Sequence, residues 1–335
     1  MGKLLAFGEI MLRLSPPGRE LLMQSPRFDV WVAGAEANVA RALARLGHDV
    51  GFASAVPDND LGRAAVSDMR GAGVDTAGIQ FRGERIGLCF VTTGAGLRAT
   101  EVMYDRAHSS FADCPSEAWD WDALLAGVDR LHLSGITPAL GEVSAASAIA
   151  AAKAASARGI SVSFDGNWRG KLWDRRESDP RSDLTNLVAH ADIMFGNDRD
   201  MAMLLGRDFS KIDEDWRREG VKATFAAFPK LQMIASTARH VEHVDLHRLS
   251  ARIDTRDTHA RTDEVVLRGI VDRIGSGDAF AAGVLHALRT GGCIADAARI
   301  GLALAALKHS LPGDACMVRQ SDIDAYLAGD VDVRR

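Results

Sequence analysis

Asp272-Arg273-Ile274-Gly275-Ser276-Gly277-Asp278-Ala279-Phe280-Ala281-Ala282-Gly283 is the stretch on which the reading of the whole chain turns. Gly275 and Gly277 permit a tight turn and bring backbone N–H groups close to an anion. A helix is predicted to follow, with Phe280, Val284, Leu285 and Leu288 on one face. Its N-terminus carries about half a positive charge and several unpaired donors. Turn and helix together therefore suit a phosphate or oxyanion. On spacing alone Asp278 reads two ways: as a helix-start carboxylate favoured by the dipole, or as a reactive group beside the anion. Other phosphate motifs fail on detail. A dinucleotide G-x-G-x-x-G needs glycine where Phe280 stands, and Gly166-Asn167-Trp168-Arg169-Gly170-Lys171-Leu172 has neither the spacing nor the hydroxyl of a P-loop.

Outward from this loop, short apolar runs alternate with helical patterns. Strands are predicted at Leu4–Phe7, Val50–Ala55, Leu131–Ser134, Val162–Phe164, Ile193–Phe195 and Leu231–Ala235. Helices are predicted at Asn38–Leu46, Leu61–Gly71, Glu142–Ala157, Gly277–Leu288 and Ile294–Leu307. This rhythm implies an α/β fold with a mostly parallel sheet between helical layers, and ligands beyond the carboxyl ends of its strands. Two segments break it, 11–33 and 79–106. There Leu88–Thr92 and Glu101–Tyr104 flank Gly94-Ala95-Gly96 like a hairpin. They predict a small β lid on a single domain spanning residues 1–335. An isolated small sheet gains by packing on a copy of itself, so a homo-oligomer through the lid is expected.

The 335 residues are 47% hydrophobic with a net charge of −5, which is ample for a large core and lacks the basic stripe of a nucleic-acid binder. No run approaches a membrane span, and the first residues are too short in apolar length for a signal peptide. Four cysteines without a C-x-x-C pair fit reduced thiols in a cytoplasmic protein. His240-Val241-Glu242-His243-Val244-Asp245-Leu246-His247 is not H-E-x-x-H, and its charge reads as an exposed loop or strand end.

The glycine stretch resembles the second signature of the PfkB, or ribokinase-like, carbohydrate kinases, D-T-x-G-A-G-D. Asp272, Gly275, Gly277 and Asp278 match, with Arg273 for threonine and Ser276 for alanine. Ala33-Gly34-Ala35-Glu36-Ala37-Asn38 is similar to the first signature, and Gly196-Asn197-Asp198-Arg199-Asp200 to an N-x-x-E element with Asp200 for glutamate. The resemblance implies a ribokinase-like three-layer fold and transfer of a phosphoryl group from ATP to a sugar hydroxyl with Mg²⁺. It implies that the backbone of Gly275, Ser276 and Gly277 holds the transferring group and that Asp278 is the catalytic base. Asn197 and Asp200 would hold the metal through water. Asn197, Thr237, Arg239, Gly275, Gly277, Lys308 and His309 would meet the nucleotide.

Within that family, Gly8–Leu14, Tyr104-Asp105-Arg106-Ala107, Ser134–Pro138, Asn167-Trp168-Arg169 and Lys308–Asp314 are most similar to the branch that phosphorylates 2-keto-3-deoxygluconate. The resemblance implies an acceptor pocket of Gly34, Asn38, Cys89, Tyr104, Arg106, Ile136, Arg169 and Asp278. Arginine suits a sugar-acid carboxylate because its planar donors bind two oxygens at once. Cys89 stands where that branch usually has an aromatic residue. A neutral-sugar kinase of the fructokinase, ribokinase or nucleoside kinase type, or a weakly active sugar-binding homologue, are the alternatives.

Overall fold

The computed structural model describes residues 2–174, 179–207 and 214–330. In chain order the strands are β1 (Lys3–Phe7), β2 (Met11–Ser15), β3 (Asp29–Ala33), β4 (Val50–Val56), β5 (Ile79–Phe81), β6 (Gly87–Thr92), β7 (Glu101–Asp105), β8 (Val128–Ser134), β9 (Ser161–Asp165), β10 (Ile193–Phe195), β11 (Met233–His243), β12 (Leu246–Thr255), β13 (His259–Arg261) and β14 (Val265–Arg268). The main sheet runs β13-β12-β11-β10-β9-β8-β1-β4-β5, with β14 also on β12. From β11 to β5 every pairing is parallel; β12, β13 and β14 add an antiparallel edge.

Alternation along β1 shows how the layers form. Leu4 and Ala6 enter one apolar cluster, whereas Leu5 and Phe7 enter the cluster on the opposite face. The first cluster is closed by helices Ala35–Arg45, Asp60–Gly71, Ser276–Arg289 and Ile294–Lys308, the second by Glu142–Ala157 and Pro180–Val188. This is the expected α/β/α sandwich. Chain order reverses between β1 and β8, so the crevice beyond their carboxyl ends is the place for a ligand. The helix Ser276–Arg289 is pinned there by a close crossing. A Cβ on Gly283 would lie 2.8 Å from the Gly301 Cα on the neighbouring helix.

A second sheet, β3-β2-β6-β7, projects over this crevice. One of its faces carries Arg13, Trp31, Cys89 and Tyr104; the cross-strand row Val30, Leu14, Phe90 and Met103 lies on the other. Ile79–Phe81, expected with this sheet, instead forms β5 and extends the main sheet beside β4. The helix Asp60–Gly71 between β4 and β5 supplies the crossover that this parallel pairing needs. The short strand predicted at Leu231–Ala235 is extended to His243 by pairing with β12, and the histidine-rich segment forms their turn. The helices Pro180–Val188, Asp198–Leu205, Glu214–Ala227 and Gln320–Ala328 did not stand out in the sequence. No helix among the described residues is long and apolar enough to cross a membrane.

Candidate active site

Gly275 adopts a left-handed conformation (φ 81°), and a Cβ there would lie 1.8 Å from the Asp314 carbonyl oxygen. No other residue fits between that carbonyl and the turn. A Cβ on Gly277, by contrast, would meet nothing within 4 Å, so there is open space beside the chain at this residue. The loop is tied down from below. Asp272 accepts the Ile274 N–H at 3.0 Å and pairs with Arg13 at 2.6 Å. The same Arg13 guanidinium reaches Asp314 at 2.5 Å and packs 5.2 Å from the Trp31 ring. Arg13 is 2% exposed, so one cation from the small sheet neutralises two buried carboxylates on either side of the loop. Arg13 and Asp314 were visible in the sequence only as members of recurring strings, without a role.

Directly after the turn, Asp278 lies on the floor of a pocket shared with Gly34, Asn38, Tyr104, Ile136 and Asn167. Asn38 donates from Nδ2 to Asp278 Oδ2 at 2.7 Å, while its own Oδ1 is buried without a partner. A buried acceptor left open on a pocket wall is the place for a ligand hydroxyl. Gly34 makes the approach possible. Its φ is 141°, and a Cβ would come within 2.2 Å of the Glu9 carbonyl oxygen. Burial pushes the Asp278 carboxyl up to about 7, with Asp314 adding to it; the Asn38 hydrogen bond, Arg169 and Lys308 oppose the shift. The residue keeps an open edge toward the crevice while its carboxylate is largely dry.

Arg106 lines the pocket, but its charge is already matched. Nε donates to Glu9 Oε2 at 2.7 Å, Nη2 donates to the same oxygen, and the Ser109 hydroxyl donates to Oε1. Arg106 is buried over the Tyr104 ring. Arg169 is exposed and, among the described residues, donates to the Trp168 carbonyl at 3.0 Å. Its charge nevertheless pulls down the buried carboxyls of Asp165, Asp200 and Asp278. Cys89 also lines the pocket, and burial pushes its thiol up to about 12, so it presents a neutral small group. Asn167 had not been singled out. Its left-handed backbone (φ 42°) aims it into the pocket wall, where Nδ2 donates to Ser134 Oγ at 3.0 Å. Glu36 was also passed over. It is fully buried, accepts from Thr137 Oγ1 at 2.8 Å, and is pushed up to about 7 by desolvation.

On the other side of the loop, Thr237 and Arg239 stand on β11 where it leaves the core. Arg239 lies near Arg273 and Arg169; desolvation and then these two cations push its own ionisation down. Neither Arg239 nor Arg273 forms an ion pair with an acid among the described residues. Asn197 caps the helix Asp198–Leu205, accepting from the Arg199 N–H at 2.9 Å. Asp200 Oδ2 accepts the Asn197 N–H at 2.7 Å, whereas Oδ1 is buried without a partner, and burial pushes the carboxyl up to about 6. A hydrated cation fits that open oxygen of Asp200. Asn197, expected to share the task, spends one acceptance of its side-chain oxygen on the cap. Lys308 and His309, expected at the nucleotide, are sealed beneath the surface. The Lys308 ammonium donates to the carbonyls of Asp272 and Leu311 at 3.1 and 3.0 Å. His309 Nδ1 donates to the Ala305 carbonyl at 2.6 Å, and its ring packs edge-on to His247. Both sit in the last helical turn, where cationic and N–H groups find free carbonyls.

The chain is similar to known proteins along nearly its whole length. Residues 1–318 match the pfkB family carbohydrate kinase model. The chain belongs to the pfkB family of carbohydrate kinases. It is 31% identical to a 2-dehydro-3-deoxygalactonokinase from Haloferax volcanii, over 98% of this chain and 97% of that protein. Fructokinase-1 from Zea mays is 28% identical, over 84% of this chain and 81% of that one. Among solved structures, a 2-dehydro-3-deoxygluconokinase from Thermotoga maritima superposes with a TM-score of 0.93 at 32% identity, covering 98% of this chain and 100% of that chain. As a pfkB carbohydrate kinase, the protein is a phosphotransferase with an alcohol group as acceptor.

Proposed function

We propose that this kinase transfers the γ-phosphoryl group of ATP to the 6-hydroxyl of a 2-keto-3-deoxy sugar acid, most favourably 2-keto-3-deoxy-D-gluconate. One observation carries the reading. Asp278 stands on the pocket floor, held by Asn38, with the amide-rich turn immediately before it. Asn38 engages Oδ2, which leaves Oδ1 to accept the proton of the acceptor hydroxyl. The hydroxyl oxygen then forms its bond to the γ-phosphorus as the bond to the ADP oxygen breaks. At the helix start the backbone N–H groups of Gly277 and Asp278 would meet the charge that grows on the phosphoryl oxygens, while the Ser276 N–H donates to the Arg273 carbonyl at 3.3 Å and closes the turn. Mg²⁺ would supply charge neutralisation on the phosphates when bound, and the open oxygen of Asp200 would meet its hydration shell. Arg239, Arg273 and Thr237 would hold the polyphosphate. Arg169 would meet the acid's carboxylate, since it is the arginine on this side without an ion pair among the described residues.

A second reading, a neutral-sugar kinase, is favoured by the Arg106–Glu9 pair, which removes one cation from carboxylate recognition. An ADP-release assay over sugar acids and neutral sugars with Mg-ATP decides between them. Turnover on 2-keto-3-deoxy acids that falls with Arg169→Ala is expected; equal or faster turnover of fructose or ribose would overturn the acid reading. The apolar row Val30, Leu14, Phe90 and Met103 on the open face of the small sheet supports a dimer through that sheet, with Val30 56% and Met103 54% exposed.

A further inference from the structure

Lys308 is a fully buried cation that the chemistry above leaves unused, and its surroundings are unusual. It is 0% exposed, yet its ammonium touches no carboxylate directly. Its two hydrogen-bond partners are backbone carbonyls, Asp272 at the entry to the glycine turn and Leu311 in the segment that returns past it. These are the same two segments that enclose Gly275. The turn has no spare room there, because the Asp314 carbonyl stands where a Gly275 Cβ would go. Desolvation works against the ammonium, while Asp272 and Asp314 favour it, and Arg13 adds a second cation to the same pair of carboxylates. Two cations and two carboxylates therefore lie under the loop. Burying an ammonium costs several kcal/mol unless it is well compensated, so a neutral residue would be the simpler filling for a site with only a structural task.

We propose that Lys308 is a positioning residue for phosphoryl transfer: a tethered monovalent cation that clamps the two segments around Gly275 and holds fixed positive charge behind the helix start at Gly277 and Asp278. The ammonium does here what a small inorganic cation bound by carbonyl oxygens would do, without having to be recruited from solution. Its charge is felt at the reacting side, where it favours the ionised form of Asp278. It never touches substrate; it acts through the backbone it ties together and through its field. The inference rests on reading Ser276–Asp278 as the phosphoryl site.

Two measurements test it on the full-length protein. In the unmodified enzyme, turnover is expected to be the same in choline, sodium, potassium or ammonium chloride at equal ionic strength. Activation by potassium or ammonium at millimolar concentration would overturn the proposal, because the cation site would then be empty rather than filled. In Lys308→Ala, kcat is expected to fall about 10²- to 10³-fold, the scale of losing one preorganised donor, with the KM of the acceptor nearly unchanged. Added ammonium or potassium, but not choline, should restore part of that kcat along a saturating curve. A folded Lys308→Ala enzyme with full kcat would refute the clamp, as would a loss that no small cation rescues. Should Lys308→Ala not fold, the salt series on the unmodified enzyme still decides. Asp278→Asn in parallel separates the two levels: if it retains turnover, the phosphoryl-site reading falls first.

Discussion

The two walls of the crevice handle charge in opposite ways. On the acceptor wall each charged group has a partner from within, Arg106 in Glu9 and Ser109, Asp278 in Asn38 and Glu36 in Thr137, and the oxygens left open are one on Asn38 and one on Glu36. On the nucleotide wall Arg239 and Arg273 face each other without an acid, and Asp200 keeps an open oxygen. The first wall is built to present a few directed hydrogen bonds to a small ligand. The second holds unneutralised charge, the arrangement expected where a polyanion and its metal supply the missing partners. Preorganisation on one side and deferred neutralisation on the other both serve a loose, charge-rich transition state.

The largest effect that would sharpen this contrast is at Asp278. Asp278→Asn should lower kcat about 10²- to 10⁴-fold, the usual range for a general base, with little change in nucleotide affinity. Stability should move the other way. The folded-state pKa of about 7 lies above the ordinary 3.8, so the folded protein binds more protons than the unfolded chain between these values, and stability falls as pH rises through that window. Removing the carboxylate should raise Tm at pH 8 by about 2–4 °C and change it less at pH 5. For the unmodified enzyme, kcat/KM should rise with pH up to about 7 as Asp278 ionises, set jointly by Asn38, Asp314, Arg169 and Lys308 around it. A flat profile from pH 5.5 to 8 would break the assignment.

Next in size is the pair that makes the acceptor wall self-sufficient. Arg106→Ala leaves Glu9 buried and unmatched, and should cost about 3–5 kcal/mol in denaturant unfolding. Arg169→Ala exposes no buried partner. It should leave stability within about 0.5 kcal/mol and raise KM about tenfold for a carboxylated acceptor, the loss of one charge-assisted contact. If the two variants behave alike, the distinction between a structural and a ligand-facing arginine fails.

The same division governs how much was legible in the sequence. The glycine turn could be read because its constraints are local: Gly275 needs a left-handed backbone, and a helix must start at once. Period-2 and helical patterns likewise gave most of the parallel sheet, and the hairpin at Gly94–Gly96 gave β6 and β7. What escaped depends on contacts between distant segments. Arg13 meets Asp314 across 301 positions, and Arg106 meets Glu9 across 97. No spacing rule reveals that a cation matched to a ligand in one chain is matched internally in another. Lys308 and His309 were misplaced for a related reason. Their nearness in sequence to the loop is real, but helix geometry turns both side chains inward, beneath it. Ile79–Phe81 is too short for its pattern to tell sheet edge from lid.

The smallest effect is the most discriminating for the nucleotide wall. Desolvation, and then Arg273 and Arg169 nearby, disfavour the charged form of Arg239. Replacing one should therefore leave the unliganded protein as stable or slightly more so, the reverse of Arg106→Ala. The cost should appear only with nucleotide bound. Arg273→Ala is expected to raise the KM of Mg-ATP about tenfold and to leave the KM of the acceptor unchanged. It should also reduce the thermal stabilisation that ATP confers, measured as the shift in Tm on adding the nucleotide. If Arg273→Ala instead lowered the stability of the free enzyme, the guanidinium would be engaged within the protein as Arg106 is. The two walls would then share one principle of construction, and the polyphosphate would have to be held by Thr237, Arg239 and the amides of the turn.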